Sequence, residues 1–239
     1  MEIRLAQMEV VAGKPSENFN TIKGLVADAI ADKVELLVLP ELCISGYLIG
    51  DMWEETSFID DCIYYGNEVA KLSTTHITIV FGNVARGMNP IEIKGNDGRV
   101  GKVNAAFVAQ NGSYVSFPHG YICQVKSLLP NYREFEEPRH FQTMEWLCLE
   151  LDIANAYTPI EIDGVKVGIT ICEDGWDNDY DIKPIKRFSE NGAELILNLS
   201  CSPFTTGKNS ARDRTFSAHA KDNEVPVLYV NSVGLQNNG

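Results

Sequence analysis

The sequence predicts one α/β domain, because short apolar strands alternate with amphipathic helices along the whole chain. No internal repeat, low-complexity tract or linker-like stretch divides it. Of the 239 residues, 44% are hydrophobic, which is enough to bury a sizeable core. The formal net charge of −13 disfavours nucleic acid or an anionic membrane surface as the main partner, since both are negatively charged.

The first elements follow from hydrophobic periodicity and from proline. Residues 3–8 alternate apolar and polar side chains, as a half-buried strand does. A helix is predicted over residues 15–33, because its apolar side chains recur at the spacing of one helical face. That buried face comprises Ile22, Leu25, Val26, Ala29 and Ile30. Residues 34–39 form a short buried strand that ends at Pro40, since proline cannot donate to a strand ladder.

A helix over residues 53–72 and a strand over 77–81 come next. Two further strands, 103–109 and 114–117, are joined through Gln110-Asn111-Gly112. The Asn-Gly pair favours a tight hairpin turn, because both positions tolerate a positive φ. This part of the chain is therefore expected to add an antiparallel pair to the sheet.

From residue 119 to residue 155 the pattern loosens, and we predict mostly loop with short elements. Regular order then returns. The remaining predictions are a hairpin of strands 158–162 and 165–172 turning at Asp163-Gly164, a helix near 182–191, a strand over 195–199, a helix near 210–223 and a strand over 225–230.

Cysteine and histidine spacing argues against disulfides and metal sites. The six cysteines are too widely spaced for a secreted disulfide scaffold, so we predict reduced thiols in a cytoplasmic protein. The first residues run directly into a strand without a leader, and the densest apolar run, residues 36–39, is too short to span a bilayer. The four histidines never pair at metal-ligand spacing.

Three segments place a reactive side chain near a predicted strand end or between strands. Glu41 follows the strand that stops at Pro40, Cys172 ends the strand 165–172, and Lys126 lies in the irregular stretch between them. Singly, each has an ordinary explanation: a helix cap, a small buried hydrophobe and a solvated cation. Together they supply a base, a nucleophile and a cation, which acyl transfer requires.

This trio resembles the Glu–Lys–Cys triad of the nitrilase superfamily of carbon–nitrogen hydrolases. The likeness rests on Pro40-Glu41-Leu42 with Gly46-Tyr47, on Lys126 with Leu129-Pro130 and Asn131-Tyr132, on Cys172-Glu173-Asp174 with Trp176, and on Asn198-Leu199-Ser200 with Ser202-Pro203-Phe204 and Gly207-Lys208. Within that superfamily the chain is most similar to the amino-terminal glutaminase domains of glutamine-dependent NAD synthetases. The resemblance runs from residue 3 to about residue 234.

The resemblance implies an α-β-β-α sandwich, two packed β-sheets with helices outside, that hydrolyses the glutamine side-chain amide to glutamate and ammonia through a cysteine thioester. Cys172 would be the nucleophile, with its thiolate favoured by the nearby Lys126 cation. Glu41 would act as the general base. Lys126 and the backbone N–H of Glu173 would stabilise the oxyanion.

The resemblance also assigns the residues that would hold the amino-acid end of glutamine. Tyr132, Glu137, Ser202 and Lys208 would bind it, with Glu137 on the ammonium and Ser202 and Lys208 on the carboxylate. Tyr47 would help to shape the pocket.

Residues 1–239 are expected to form one glutaminase-like domain, truncated at its carboxyl terminus. The synthetase half, with its pyrophosphate loop, has no match in this chain, so ATP and Mg²⁺ would belong there and no cofactor or metal is expected here. Expected partners are the glutamine substrate, a synthetase domain in cis or trans, and a second copy of the chain in a homo-oligomer.

Three other functions compete with this interpretation. A stand-alone amidase acting on another small amide or an N-carbamoyl compound would use the same triad. A non-catalytic domain that packs against or regulates a synthetase would be expected to have lost a member of the triad, and all three are present. A flavodoxin-like nucleotide binder would need a phosphate loop after the first strand, where residues 9–13 have no such sequence.

Overall fold

Two β-sheets pack face to face in the computed structural model, which describes residues 1–86 and 100–235. The strands are β1 (Ile3–Leu5), β2 (Leu36–Val38), β3 (Thr78–Arg86), β4 (Lys102–Gln110), β5 (Ser113–Tyr114), β6 (Cys123–Val125), β7 (Ile160–Ile162), β8 (Val165–Ile171), β9 (Leu195–Ser200) and β10 (Val227–Asn231). The helices are α1 (Pro15–Ala31), α2 (Thr56–Lys71), α3 (Met144–Leu151), α4 (Pro184–Glu190) and α5 (Lys208–Asp222). The predicted sandwich is confirmed.

The first sheet has the order β1-β2-β3-β4-β5, and β6 also pairs with β4. Strands β1, β2 and β3 are parallel, whereas β4 runs antiparallel to β3. The second sheet has the order β10-β9-β8-β7, with β7 antiparallel to its three parallel neighbours. In this arrangement the segments that follow β2, β8 and β9 meet at one end of the sandwich.

The core between the sheets is built mainly from apolar side chains and follows the two-residue period of a strand. On β2, Leu36 and Val38 face the second sheet, whereas Leu37 faces the helices that cover the first sheet. Ile169 and Leu197 lie on the opposing inner face. The helices α1 and α2 lie over the first sheet, and α4 and α5 lie over the second.

The predicted face of α1 is correct except at its end. Ile22, Val26 and Ala29 are buried and Leu25 is partly buried, but Ile30 is 49% exposed, so its predicted burial is wrong. Ile30 lies eight positions after Ile22, and at about 100° per residue this places it roughly 80° from Ile22 around the helix, beyond Val26 at the edge of the buried stripe.

The predicted hairpin is confirmed, with Asn111 and Gly112 both at positive φ between β4 and β5. The helix predicted from residue 53 begins at Thr56, after a single 3₁₀ turn over Gly50–Glu54. The irregular stretch contains β6 and α3, so Lys126 directly follows a strand. Within the described ranges, no helix is long and apolar enough to cross a membrane.

Candidate active site

The three residues predicted to be catalytic converge at the end of the sandwich where β2, β6 and β8 finish. Glu41 and Lys126 are almost completely buried, and their side chains meet with Nζ 2.7 Å from Oε1 although they are 85 residues apart in sequence. Cys172 directly follows β8 and is 9% exposed. The structure therefore brings the predicted acid, cation and thiol into one site.

The Glu41 carboxylate is held from three directions. Its Oε1 accepts hydrogen bonds from Lys126 Nζ and from Asn104 Nδ2 at 2.8 Å, and its Oε2 accepts one from the Cys201 backbone N–H at 2.9 Å. The turn that carries Glu41 packs closely on β3 at Gly82, where an added Cβ would lie 2.6 Å from the Glu41 Cα. A side chain at position 82 would displace this turn, so the glycine is required here.

The Cys201 N–H connects the Glu41 carboxylate to the segment that follows β9. It donates a hydrogen bond to Oε2 of Glu41 at 2.9 Å. The same N–H lowers the pKa of the Cys172 thiol, whereas the charge of Glu41 raises it.

Cys172 is held in a strained turn. Its φ of +44° lies in the left-handed region, which a residue with a side chain adopts at a cost of about 1–3 kcal/mol. Burial raises the pKa of the Cys172 thiol well above its usual value and Glu41 raises it further, while Lys126 and the Cys201 N–H lower it. Burial and Glu41 therefore favour the neutral thiol, so attack by the sulfur requires a base.

Lys126 lies between two carboxylates. Its Nζ is 2.5 Å from Oε1 of Glu137 as well as 2.7 Å from Oε1 of Glu41. Burial alone would lower the pKa of this ammonium, but Glu137 and Glu41 outweigh burial and raise it well above its usual value. The cation is therefore permanent at neutral pH.

Glu137, predicted to bind the substrate ammonium, contacts two groups of the protein inside the site. Its Oε1 accepts hydrogen bonds from Lys126 and from the Tyr47 hydroxyl, so the group expected to hold a substrate ammonium already faces a cation of the protein. Burial raises the pKa of Glu137 to about 7, against the opposing effect of Lys126. Its Oε2 is buried without a hydrogen-bond partner among the described residues.

A second carboxylate, that of Glu173, lies directly beside the nucleophile. Tyr132 donates to its Oε2 at 3.0 Å and Tyr180 donates to its Oε1 at 3.0 Å. Glu173 is buried, whereas Tyr132 is 45% exposed and reaches the surface. Both donors are neutral hydroxyls, so the negative charge of Glu173 remains available to a cation.

Ser202 and Lys208 lie in the chain that follows β9. Ser202 is buried, and its N–H donates to Oδ1 of Asn231 at 2.8 Å. Lys208 opens α5, with its ammonium 3.9 Å from the centre of the Trp176 ring. Burial lowers the pKa of Lys208, whereas Cys172 and Glu173 raise it. An ammonium at a helix N-terminus is well suited to bind a carboxylate.

A cavity of about 550 Å³ adjoins this site. Tyr47, Cys201, Ser202 and Arg212 are among its lining residues. Its volume falls within the range of small-molecule pockets in proteins. In the described part of the chain, no group of three or more His, Cys, Asp or Glu side chains could hold a metal ion.

Three polar residues of the site were not predicted as site residues: Asn104, Asp174 and Tyr180. Asp174 belongs to the Cys172-Glu173-Asp174 segment, which was a signal for it. Asn104 and Tyr180 stand in stretches with no motif, and only the fold brings them to Glu41 and Glu173.

The comparisons with known proteins agree with this geometry. The model of the carbon-nitrogen hydrolase family matches residues 2–239. The glutamine-dependent NAD(+) synthetase of Synechocystis sp. is 30% identical over 239 residues, which cover 97% of this chain and 39% of that protein. The enzyme of the same name from Thermotoga maritima is 30% identical over 99% of this chain and 36% of its own length. The chain thus spans well under half of these relatives.

Solved structures give the same likeness. The glutamine-dependent NAD+ synthetase of Acinetobacter baumannii, in complex with ADP, superposes with a TM-score of 0.78 at 27% identity, over 97% of this chain and 38% of that one. An amidase of the nitrilase superfamily from Nesterenkonia AN1 shares the fold, with a TM-score of 0.72 at 18% identity over 98% of this chain and 77% of the amidase.

Proposed function

Because the chain belongs to the carbon-nitrogen hydrolase family, we propose that it hydrolyses the side-chain amide of glutamine to glutamate and ammonia. The observation that carries this proposal is the buried contact of the Lys126 ammonium with the Glu41 carboxylate, 2.7 Å apart, in a site where Asp174 bonds the segment after Lys126 to the strand end that carries Cys172. The similarity to enzymes named glutamine-dependent synthetases supports glutamine as the amide.

The neutral thiol and the fixed carboxylate define the first step. Cys172 attacks the amide carbonyl carbon while its proton passes to the carboxylate of Glu41. The tetrahedral intermediate then loses its amide nitrogen, which takes the proton back from Glu41 and leaves as ammonia. The product of this half-reaction is a glutamyl thioester on Cys172.

In the second step, water takes the place of the thiol as the nucleophile and hydrolyses the thioester. Glu41 removes a proton from water as the oxygen attacks the thioester carbonyl, and the thiol of Cys172 is regenerated as glutamate leaves. In both steps the Lys126 ammonium and the backbone N–H of Glu173 stabilise the oxyanion. Loss of one such donor typically costs about 10²–10³ in rate.

We assign the substrate ammonium to Glu173 and not to Glu137. The Glu137 charge is engaged by Lys126 and Tyr47, whereas Glu173 is bonded only through two hydroxyl groups. Lys208, at the start of α5, and Ser202, which lines the cavity, would receive the substrate carboxylate. The ammonium of an α-amino acid would then face the Glu173 carboxylate, and its carboxylate would face the Lys208 ammonium.

Two matched variants separate these roles. Glu173→Gln keeps the side-chain shape but removes the charge, so we expect KM for glutamine to rise about 30-fold or more with little change in kcat. Glu137→Gln weakens the ion pair that positions Lys126, so we expect kcat to fall about 10²-fold with a smaller change in KM. Steady-state ammonia release measures both constants. A KM effect confined to Glu137→Gln would return the ammonium to that residue.

Lys208→Met tests the carboxylate end. We expect KM for glutamine to rise about tenfold to a hundredfold, less than for a fully desolvated charge because Lys208 is partly exposed. The exposed Lys186, on α4, provides a matched control, Lys186→Met, with unchanged KM. Simple aliphatic amides lack the carboxylate and should be insensitive to Lys208→Met. Equal turnover of glutamine and aliphatic amides by the wild-type chain would favour a generic amidase.

We further propose that the ammonia serves glutamine-dependent NAD synthesis, as the names of the relatives suggest. A synthetase domain, in cis or in trans, would then be the partner, and ATP and Mg²⁺ would bind there. Cytoplasmic location and self-association remain predictions. Sedimentation that finds only monomer at micromolar concentration would contradict self-association.

A further inference from the structure

One buried carboxylate ties together the two segments that carry the cation and the nucleophile. Asp174 Oδ1 accepts hydrogen bonds from the backbone N–H groups of Ser127 at 3.0 Å and Leu128 at 2.9 Å. Its Oδ2 accepts one from the N–H of Ile171 at 2.9 Å. Ser127 and Leu128 follow Lys126, and Ile171 precedes Cys172, so both segments are bonded to the same side chain.

The segment after Lys126 depends on this contact. The N–H of Lys126 itself still belongs to the sheet and donates to the Asn104 carbonyl at 2.9 Å, but β6 ends at Val125. Beyond that point the next two N–H groups donate to Asp174. The Asp174 carboxylate accepts these hydrogen bonds in place of a neighbouring strand. Because Asp174 belongs to the turn that carries Cys172, it connects that turn to the residues that follow Lys126.

The chemistry requires a carboxylate at this place. Three N–H donors point at two oxygens, and a carboxylate has acceptor capacity on both. Asparagine would keep one accepting oxygen and turn an NH₂ group toward an N–H donor. Burial raises the pKa of Asp174 to about 7, while the backbone donors from Ile171, Leu128 and Ser127 and the charge of Lys126 lower it.

We propose that Asp174 is a positioning residue that sets the distance between the Lys126 ammonium and the Cys172 thiol. The proposal deepens the function proposed above and rests on it. A misplacement of about 1 Å between reacting groups costs on the order of 10² in rate. Loss of the Asp174 hydrogen bonds should therefore lower kcat. The position of Lys126 also affects the reactivity of the Cys172 thiol, because the Lys126 ammonium lowers the pKa of this thiol.

The test is Asp174→Asn, with Asp179→Asn, an exposed acid a few residues further on, as the control. We expect kcat for glutamine to fall about 10²-fold with KM nearly unchanged. We also expect alkylation of Cys172 by iodoacetamide at neutral pH to slow about tenfold, and its pH midpoint to move upward, because Lys126 no longer favours the thiolate. Asp179→Asn should behave like the wild type.

A folded Asp174→Asn variant with wild-type alkylation kinetics and wild-type kcat would overturn the proposal. If that variant does not fold, Ser127→Pro removes one N–H donor while leaving Asp174 in place, and Ser127→Ala is its control because it keeps the N–H. Slower alkylation of Cys172 in Ser127→Pro than in Ser127→Ala supports the proposed role of Asp174, and equal alkylation rates overturn it. Alkylation needs no substrate, so its result stands even if glutamine proves to be the wrong amide.

Discussion

Replacing Cys172 with alanine is expected to abolish ammonia release from glutamine, a loss on the order of 10⁵-fold or more, because the proposed thioester forms on the Cys172 sulfur. The variant should still fold, because the substitution removes a single sulfur atom. The hydrogen bonds that hold Glu41 and Lys126 do not involve this sulfur and stay intact. Ammonia release and a thermal unfolding midpoint measure the two properties separately.

Cys148→Ala is the control for that variant. Cys148 lies on α3 and is partly exposed, so it is the cysteine most open to reagents away from the site. Its replacement should leave ammonia release within about twofold of the wild type. Undiminished activity in Cys172→Ala would eliminate the proposed nucleophile, whatever the substrate.

Lys126→Met is expected to have the second largest effect, and it acts on stability as well as on rate. The variant removes an oxyanion donor, which costs about 10²–10³ in kcat. It also leaves the Glu41 and Glu137 carboxylates facing each other in a buried site without a cation, and breaking a buried ion pair in this way costs about 3–5 kcal/mol. Urea denaturation reads the stability loss.

A second substitution separates the two effects of Lys126. In Lys126→Met with Glu137→Gln, one of the unpaired charges is gone, so part of the lost stability should return while ammonia release stays low. Recovery of activity together with stability would mean that Lys126 acts only by neutralising the carboxylates. A single Lys126→Met variant as stable as the wild type would contradict the buried ion cluster itself.

The fold was predictable where local pattern and tertiary environment agree. The Asn111-Gly112 turn and the buried strand that ends at Pro40 are each specified by a few residues, and both are as expected. Ile30 shows the limit of periodicity, because the pattern identifies a stripe but not its edges. The start of α2 at Thr56 was also not evident from the sequence. The 3₁₀ turn before it contains Met52 and the buried Trp53, apolar side chains that an amphipathic helix would also carry.

The three members of the triad could be predicted because each is a reactive residue type in a segment with a recognisable pattern. The partners of those residues could not. Glu137 has the charge that an ammonium site needs, and only the fold shows that Lys126 occupies it. The opposing effects of burial, Glu41 and Lys126 on the pKa of the Cys172 thiol could not be weighed from the sequence, because they depend on the folded site.

The most direct test of the account is to identify the covalent intermediate. The wild-type chain is mixed with glutamine, quenched in acid during the first turnovers and analysed by peptide mapping with mass spectrometry. The proposed mechanism predicts a glutamyl adduct on the peptide that contains Cys172, formed together with ammonia and absent in Cys172→Ala. Ammonia release without any adduct on that peptide, or an adduct on another cysteine, would contradict it.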